Sequence, residues 1–185
     1  MSSCRGILAR EKMTHSFNDN DDHIYDIRNA TAAEHAAVNA LALEAWQILK
    51  PGYAPRAWDG MLAAIAKMSG LAEKGELIVA AGPERIFGAV AYMPPGASNP
   101  VIFPEGWPSV RMLVTRPACR HRGIGRRLTE ECIARARRDG AECIGLHTSP
   151  AMTVALPLYL RMGFTKDQDL DAIAGAPYAR YVMRL

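Results

Sequence analysis

The chain has 185 residues, 49% of them apolar and 22% charged, with a formal net charge of +3. That length suits one domain with a real core, and the balance is that of an ordinary soluble globular protein. The charge is too mild to argue for nucleic acid, no apolar run approaches a membrane span, and the N-terminus lacks the apolar centre of a secretory signal.

Residues 1–23 are polar, end in the acidic run from Asn18 to Asp22, and read as a disordered tail in which Met13 is an alternative start. Residues 24–185 read as a single domain, with no internal repeat and no linker. Ile24 to Arg28 is a short first strand. Thr31 and Glu34 make a capping box, and an Ala-rich helix follows to about Leu49, with Val38, Leu41, Ala45 and Ile48 or Leu49 on one face. Pro51-Gly52 breaks it. A second helix over 56–69 carries Trp58, Leu62 and Ile65 inward and stops at Gly70.

Glu76 to Ala81 and Ile86 to Met93 are apolar strands joined by a turn from Gly82 to Arg85. Residues 94–108 hold five prolines and two glycines, so they form an irregular loop. Ser109 to Thr115 is the central strand, closed by Pro117. A long helix runs on to Gly140, with Ile124, Leu128, Cys132 and Ala136 on its inner face. Its outer face allows the pairs Arg127–Glu131 and Glu131–Arg135. Cys143 to His147 is a fifth strand, Pro150 opens a further helix at its N1 position, and closing strands start at Phe164 and Tyr178. This order is that of a mixed α/β (α+β) fold. Cys4, Cys119, Cys132 and Cys143 form no Cys-x-x-Cys pair and no metal-ligand spacing, so they read as free thiols in a reducing cytosol.

Between the central strand and its helix lies the loop Arg120-His121-Arg122-Gly123-Ile124-Gly125. Two glycines and the unbonded amides of a helix start make it a ready anion site. It is not the dinucleotide fingerprint, which wants glycine where Leu128 stands. Nor is it the nucleoside-triphosphate loop, because Gly125 is followed by Arg126 and Arg127 rather than Lys and Ser or Thr. Its pattern Arg-x-x-Gly-x-Gly resembles the pyrophosphate loop of the GNAT superfamily of N-acetyltransferases, and Leu113 to Pro117 resembles that family's Leu-x-Val-x-Pro strand end. Ala155-Leu-Pro-Leu-Tyr159-Leu-Arg-Met-Gly163-Phe164 is similar to the family pattern Ala-x-x-Leu-Tyr-x-x-x-Gly-Phe, at the family's spacing from the loop.

The resemblance spans roughly residues 25–185 and implies a mixed, mostly antiparallel central sheet of about six or seven strands flanked by about four helices. The fourth and fifth strands are expected to splay apart and hold acetyl-CoA between them. The pantetheine arm would pair with the backbone of Leu113, Val114 and Thr115. The pyrophosphate would sit on the amides of His121, Arg122, Gly123, Ile124, Gly125 and Arg126, with Arg120, Arg122 and Arg126 supplying charge. The implied activity is acetyl transfer to a primary amine by direct attack. Tyr159 is the expected acid: a phenol of pKa about 10 suits a thiolate leaving group of similar basicity. The partners implied are acetyl-CoA and an amine-bearing acceptor, with a homodimer allowed, and no metal, nucleic acid or membrane. The location implied is the cytoplasm.

Two positions depart from the family pattern. Met152 stands where many relatives carry a cofactor-contacting asparagine, and Pro157 falls inside the motif helix, where it predicts a kink. The central strand offers no carboxylate as general base, which leaves His147, a bonded structural histidine in the simpler reading, or a water relay. Tyr53, Trp58, Phe103 and Trp107 are candidates for an acceptor pocket. The rival functions are an acyl-CoA-binding regulatory domain without catalysis and a nucleic-acid binder on the Arg116 to Arg138 cluster. The second lacks interleaved aromatic residues.

Overall fold

The computed structural model describes residues 25–52, 55–173 and 175–185. The expected N-terminal tail, Ile24 and Tyr53 lie outside the described residues. The strands are β1 (Asp26–Asn29), β2 (Glu76–Ala81), β3 (Ile86–Met93), β4 (Ser109–Thr115), β5 (Cys143–Thr148), β6 (Thr165–Ile173) and β7 (Ala176–Arg184). The α-helices are α1 (His35–Trp46), α2 (Pro55–Ile65), α3 (Ile124–Arg138) and α4 (Ala155–Arg161). The strands form one seven-stranded sheet in the order β1-β2-β3-β4-β5-β7-β6. Every neighbouring pair is antiparallel except β4 and β5, which α3 connects as a parallel crossover.

Helices cover both faces of the sheet. Alternation along β2 sends Ile78 and Ala80 to one face, with Val90, Val110 and the α3 residues Ile124, Leu128 and Cys132. It sends Leu77 and Val79 to the other, against Val38, Leu41 and Ala42 of α1 and Ile65 of α2. Buried on both sides, β2 and β3 consist almost wholly of apolar residues, which is why they stand out in the sequence. Gly88 on β3 lets α3 come close: a Cβ there would stand 2.9 Å from both Ile124 Cγ2 and Leu128 Cδ1. These contacts fix the start of α3 against the end of β4.

Several boundaries differ from the sequence reading, each for a local reason. The first helix keeps α geometry only to Trp46 and continues as a 3-10 segment over Gln47–Gly52. The tighter winding turns Ile48 outward, where it is 63% exposed, while Leu49 packs near Trp58. The second helix ends at Ile65, and Gly70 lies within a 3-10 segment over Met68–Glu73 rather than stopping a helix. Pro150 does not open α4. It lies in a turn in which the Met152 amide donates to the Ser149 carbonyl at 2.9 Å, and the helix starts at Ala155. Pro157 therefore falls in the first turn of α4 rather than in the helix interior, where a proline is most disruptive. Of the two expected charge pairs on α3, Glu131–Arg135 forms at 2.9 Å, whereas Arg127 stacks its guanidinium 5.9 Å above the Tyr25 ring.

Candidate functional site

The sheet parts between β4 and β5. Only Ser109 with Gly145 and Val110 with Leu146 are paired, so the rest of β4 runs on without a neighbour on that side. Met112 marks the departure. Its φ of 55° puts a non-glycine residue in the left-handed region, and the β3–β4 register slips between Ala89 and Ala91 at the same level. An extra residue in β4 at this point is a bulge, which bends a strand and ends its pairing. Farther along, the Arg116 amide donates to the Phe87 carbonyl at 2.8 Å, holding the end of β4 to β3 while the β5 side stays open.

The loop after β4 then turns into α3. Its two left-handed residues are His121, with φ 63°, and Gly123, with φ 77° at the N-cap. The first helical bond runs from the Arg127 amide to the Gly123 carbonyl at 3.1 Å. The amides of Ile124, Gly125 and Arg126 come before it and have no carbonyl within the helix, so they are open to a ligand at the positive end of the dipole.

These parts converge on one cavity of about 560 Å³. Leu113, Val114 and Thr115 of β4 line it. So do Arg120, His121, Gly123, Ile124, Gly125 and Arg126 of the loop and helix start. Arg122, exposed at the loop tip, does not. The loop arginines differ in what they hold. Arg120 donates to the Ala45 carbonyl at 2.9 Å and so ties the end of α1 to the loop. Arg126 pairs with Glu130 at 2.8 Å on an exposed face. Arg116 pairs with Glu44 of α1, also at 2.8 Å.

The remaining walls carry residues that sequence reasoning missed. Ala45, Trp46, Ile48 and Leu49 close the cavity from the end of α1, and Ala151 to Ala155, Leu158 and Arg161 close it from α4 and the turn before it. The α1 residues had a sequence signal only as the far end of an apolar helix face. Their placement depends on Arg120, a contact spanning 75 positions. Met152 does line the cavity, with the Thr148 hydroxyl 3.2 Å from its sulfur.

Tyr159 is on α4 beside Leu158 but does not line the cavity. It is 6% exposed and packs edge-on against Phe164, with ring centroids 5.8 Å apart, in the core beneath α3. Burial raises the pKa of its phenol above the ordinary value, so the hydroxyl keeps its proton at neutral and mildly alkaline pH.

On the other side of the sheet, His147 of β5 packs its ring 6.0 Å from Phe103 and 5.8 Å from Tyr178. Its Nδ1 is buried with no hydrogen-bond partner among the described residues, so it is not the bonded histidine of the simpler reading. Burial, helped by the charge of Arg111, lowers its pKa to about 4. Trp58 is buried with Ala176 and Tyr178, as a core residue would be. Trp107 stacks under Arg180, 5.4 Å from the guanidinium carbon. Among the described residues, no group of His, Cys, Asp and Glu side chains could hold a metal ion, and no helix is long and apolar enough to cross a membrane. Cys119, Cys132 and Cys143 are free and buried.

No curated protein matches the chain in sequence. Solved structures do match the fold. One is the ribosomal-protein-S5-alanine acetyltransferase of Vibrio fischeri, at 17% identity and TM-score 0.62, covering 92% of this chain and 96% of that one. Another, from Corynebacterium glutamicum, is described as histone acetyltransferase HPA2 and related acetyltransferase, at 22% identity and TM-score 0.65, covering 85% and 94%. A GNAT family acetyltransferase from Brucella melitensis, solved in complex with acetyl-CoA, matches at 22% identity and TM-score 0.56, covering 88% of each chain. The sequence model of the acetyltransferase (GNAT) family matches residues 33–164, from the start of the first helix to the end of the α4 motif. The chain belongs to the GNAT family of acetyltransferases.

Proposed function

We propose that this protein moves an acetyl group from acetyl-CoA to a primary amine by direct attack, as a single cytoplasmic domain over residues 24–185. The observation that carries this reading is the cavity at the parting of β4 and β5, with open strand backbone along one wall and unbonded amides of α3 at its end. Such a shape suits a ligand with an amide-bearing arm and a pyrophosphate. The arm would lie along Leu113, Val114 and Thr115. The pyrophosphate would lie over the loop, with Arg120, Arg122 and Arg126 around it. The Brucella melitensis neighbour holds acetyl-CoA, which supports the same donor here. Neighbours are named for a ribosomal protein and for histone, so the fold alone does not name the acceptor.

In the reaction the amine nitrogen bonds to the thioester carbon, the carbon–sulfur bond breaks, and the CoA thiolate takes a proton while the new amide loses one. Tyr159 is the proposed donor of the first proton. Its burial keeps the acid form present throughout the working pH range. The loss of the second is left to water or His147, whose lowered pKa keeps it neutral at pH 7. Because Tyr159 is in the core and off the cavity wall, a packing role, and with it a non-catalytic acyl-CoA-binding domain, is the second reading.

A panel of amines assayed with acetyl-CoA for free thiol, followed by Tyr159→Phe on the best acceptor, separates the two. A proton donor predicts a fall in kcat of about 10²–10⁴-fold with acetyl-CoA affinity unchanged. Turnover within about threefold of wild type makes Tyr159 a core residue. Tight acetyl-CoA binding with no thiol release from any amine favours the regulator.

A further inference from the structure

The α1/α2 side of the β4–β5 junction holds a cation with no counterion among the described residues. Val110 and Leu146, the last paired residues, face the α3 core, so by alternation Arg111 and His147 next to them face the opposite side. Arg111 is half-buried and, among the described residues, has no hydrogen bond and no ion pair. Other half-buried or buried arginines have partners: Arg116 has Glu44, Arg120 the Ala45 carbonyl, Arg127 the Tyr25 ring, Arg135 Glu76 and Arg180 Asp167. A guanidinium withdrawn from water without an anion is an expensive arrangement, and here burial lowers its pKa below the ordinary arginine value.

Building on the acetyl-transfer reading, we propose that Arg111 is the specificity determinant for the acceptor and that the acceptor is an amine carrying a carboxylate. The guanidinium fork matches a carboxylate in two parallel hydrogen bonds. Arg111 offers one positive charge there, since neighbouring His147 is uncharged at pH 7 and Arg180 is already paired with Asp167. The wall beside it is aromatic: Phe103 and Tyr178 flank the His147 ring, and Phe103 lies where a Cβ on Gly145 would stand, 2.8 Å from the ring carbons. Arg111 also precedes Leu113, the first β4 residue of the donor cavity, by two positions, with the bulge at Met112 between them. A carboxylate anchored at Arg111 would hold an amine a few bonds away at the opening between the strands. No bond is made or broken at Arg111 itself. It selects and orients.

The test uses the full chain loaded with CoA, titrated calorimetrically with a panel of amino acids, each beside its own amide. The acids are expected to bind about 10- to 100-fold more tightly than their amides, with Arg111→Gln erasing that preference and Arg111→Lys restoring part of it. Circular dichroism and CoA affinity of each variant check that the fold and the donor site survive. Equal binding of acids and amides, no binding of either, or a preference that survives Arg111→Gln would each overturn the proposal. Thiol release in the same mixtures is read separately. A carboxylate preference without turnover rejects acetyl transfer and leaves Arg111 as a carboxylate site, whereas turnover of amides and acids alike rejects the site and leaves the transferase.

Discussion

His147 has a pH-dependent role in stability whatever its part in chemistry. Burial and Arg111 hold its folded pKa near 4, below the unfolded value of about 6.5. Its contribution to stability is therefore full above about pH 6.5 and lost as pH falls toward 4, because the unfolded chain takes up the proton first. Denaturant titrations should show wild type losing about 1–3 kcal/mol more than His147→Gln between about pH 7 and about pH 4.5. An equal loss in both proteins would place the pH sensitivity elsewhere. The sequence marked His147 by its pKa range alone, and Arg111 not at all. A lone arginine in a strand acquires meaning only when its partners, or their absence, can be counted in space. The turn from Arg120 to Gly125 into α3 was legible because such backbone needs are written locally in glycines at a helix start. Tyr159 was legible as a motif residue, but its direction of packing was not.

At the level of elements, the strand ends came through well and the helix ends poorly. Turn chemistry such as that from Gly82 to Arg85 acts within four residues, whereas the 3-10 windings after α1 and α2 are imposed by what the chain packs against. The start of the first helix shows a local signal that the fold strengthens. Glu34 accepts the Thr31 amide at 2.8 Å and also receives Arg28, which lowers its pKa to about 2. That carboxylate stabilises the fold above its unfolded pKa of about 4.3, and the effect is lost as pH falls toward 2. Glu34→Gln should cost about 0.5–2 kcal/mol at neutral pH, with the gap to wild type closing in acid. Thermal melts across that range measure it, and a gap that persists near pH 2 would assign the loss to packing instead.

The whole molecule is a sheet divided at β4 and β5, with the cavity in the division. Neither the strand order nor the splay follows from periodicity. The splay was an expectation of the family resemblance, and the two-pair junction and the bulge at Met112 give it its physical cause. A ligand that fills such a division binds only the folded chain, so acetyl-CoA should raise Tm in proportion to the logarithm of its concentration. Gly123→Glu should abolish that rise. It places a side chain at φ 77°, at a cost of about 1–2 kcal/mol in the ligand-free protein, and a negative charge where the pyrophosphate would lie. An undiminished rise in a folded Gly123→Glu variant would remove the loop from the binding site.

The division also leaves a strand edge in the middle of the protein. Unpaired strand backbone is normally a template on which other chains add and aggregate, and exposed edges are commonly blunted with charge. The outer edge follows that rule: exposed β6 carries Lys166, Asp167, Asp169 and Asp171. The inner edge, Leu113 to Thr115, carries no charged side chain. The end of α1 and the residues of α4 line the same cavity, so this edge opens into a hollow of about 560 Å³ rather than onto the rim of the sheet. An edge set inside the molecule in this way is unpaired without being presented at the rim, where another chain would add to it.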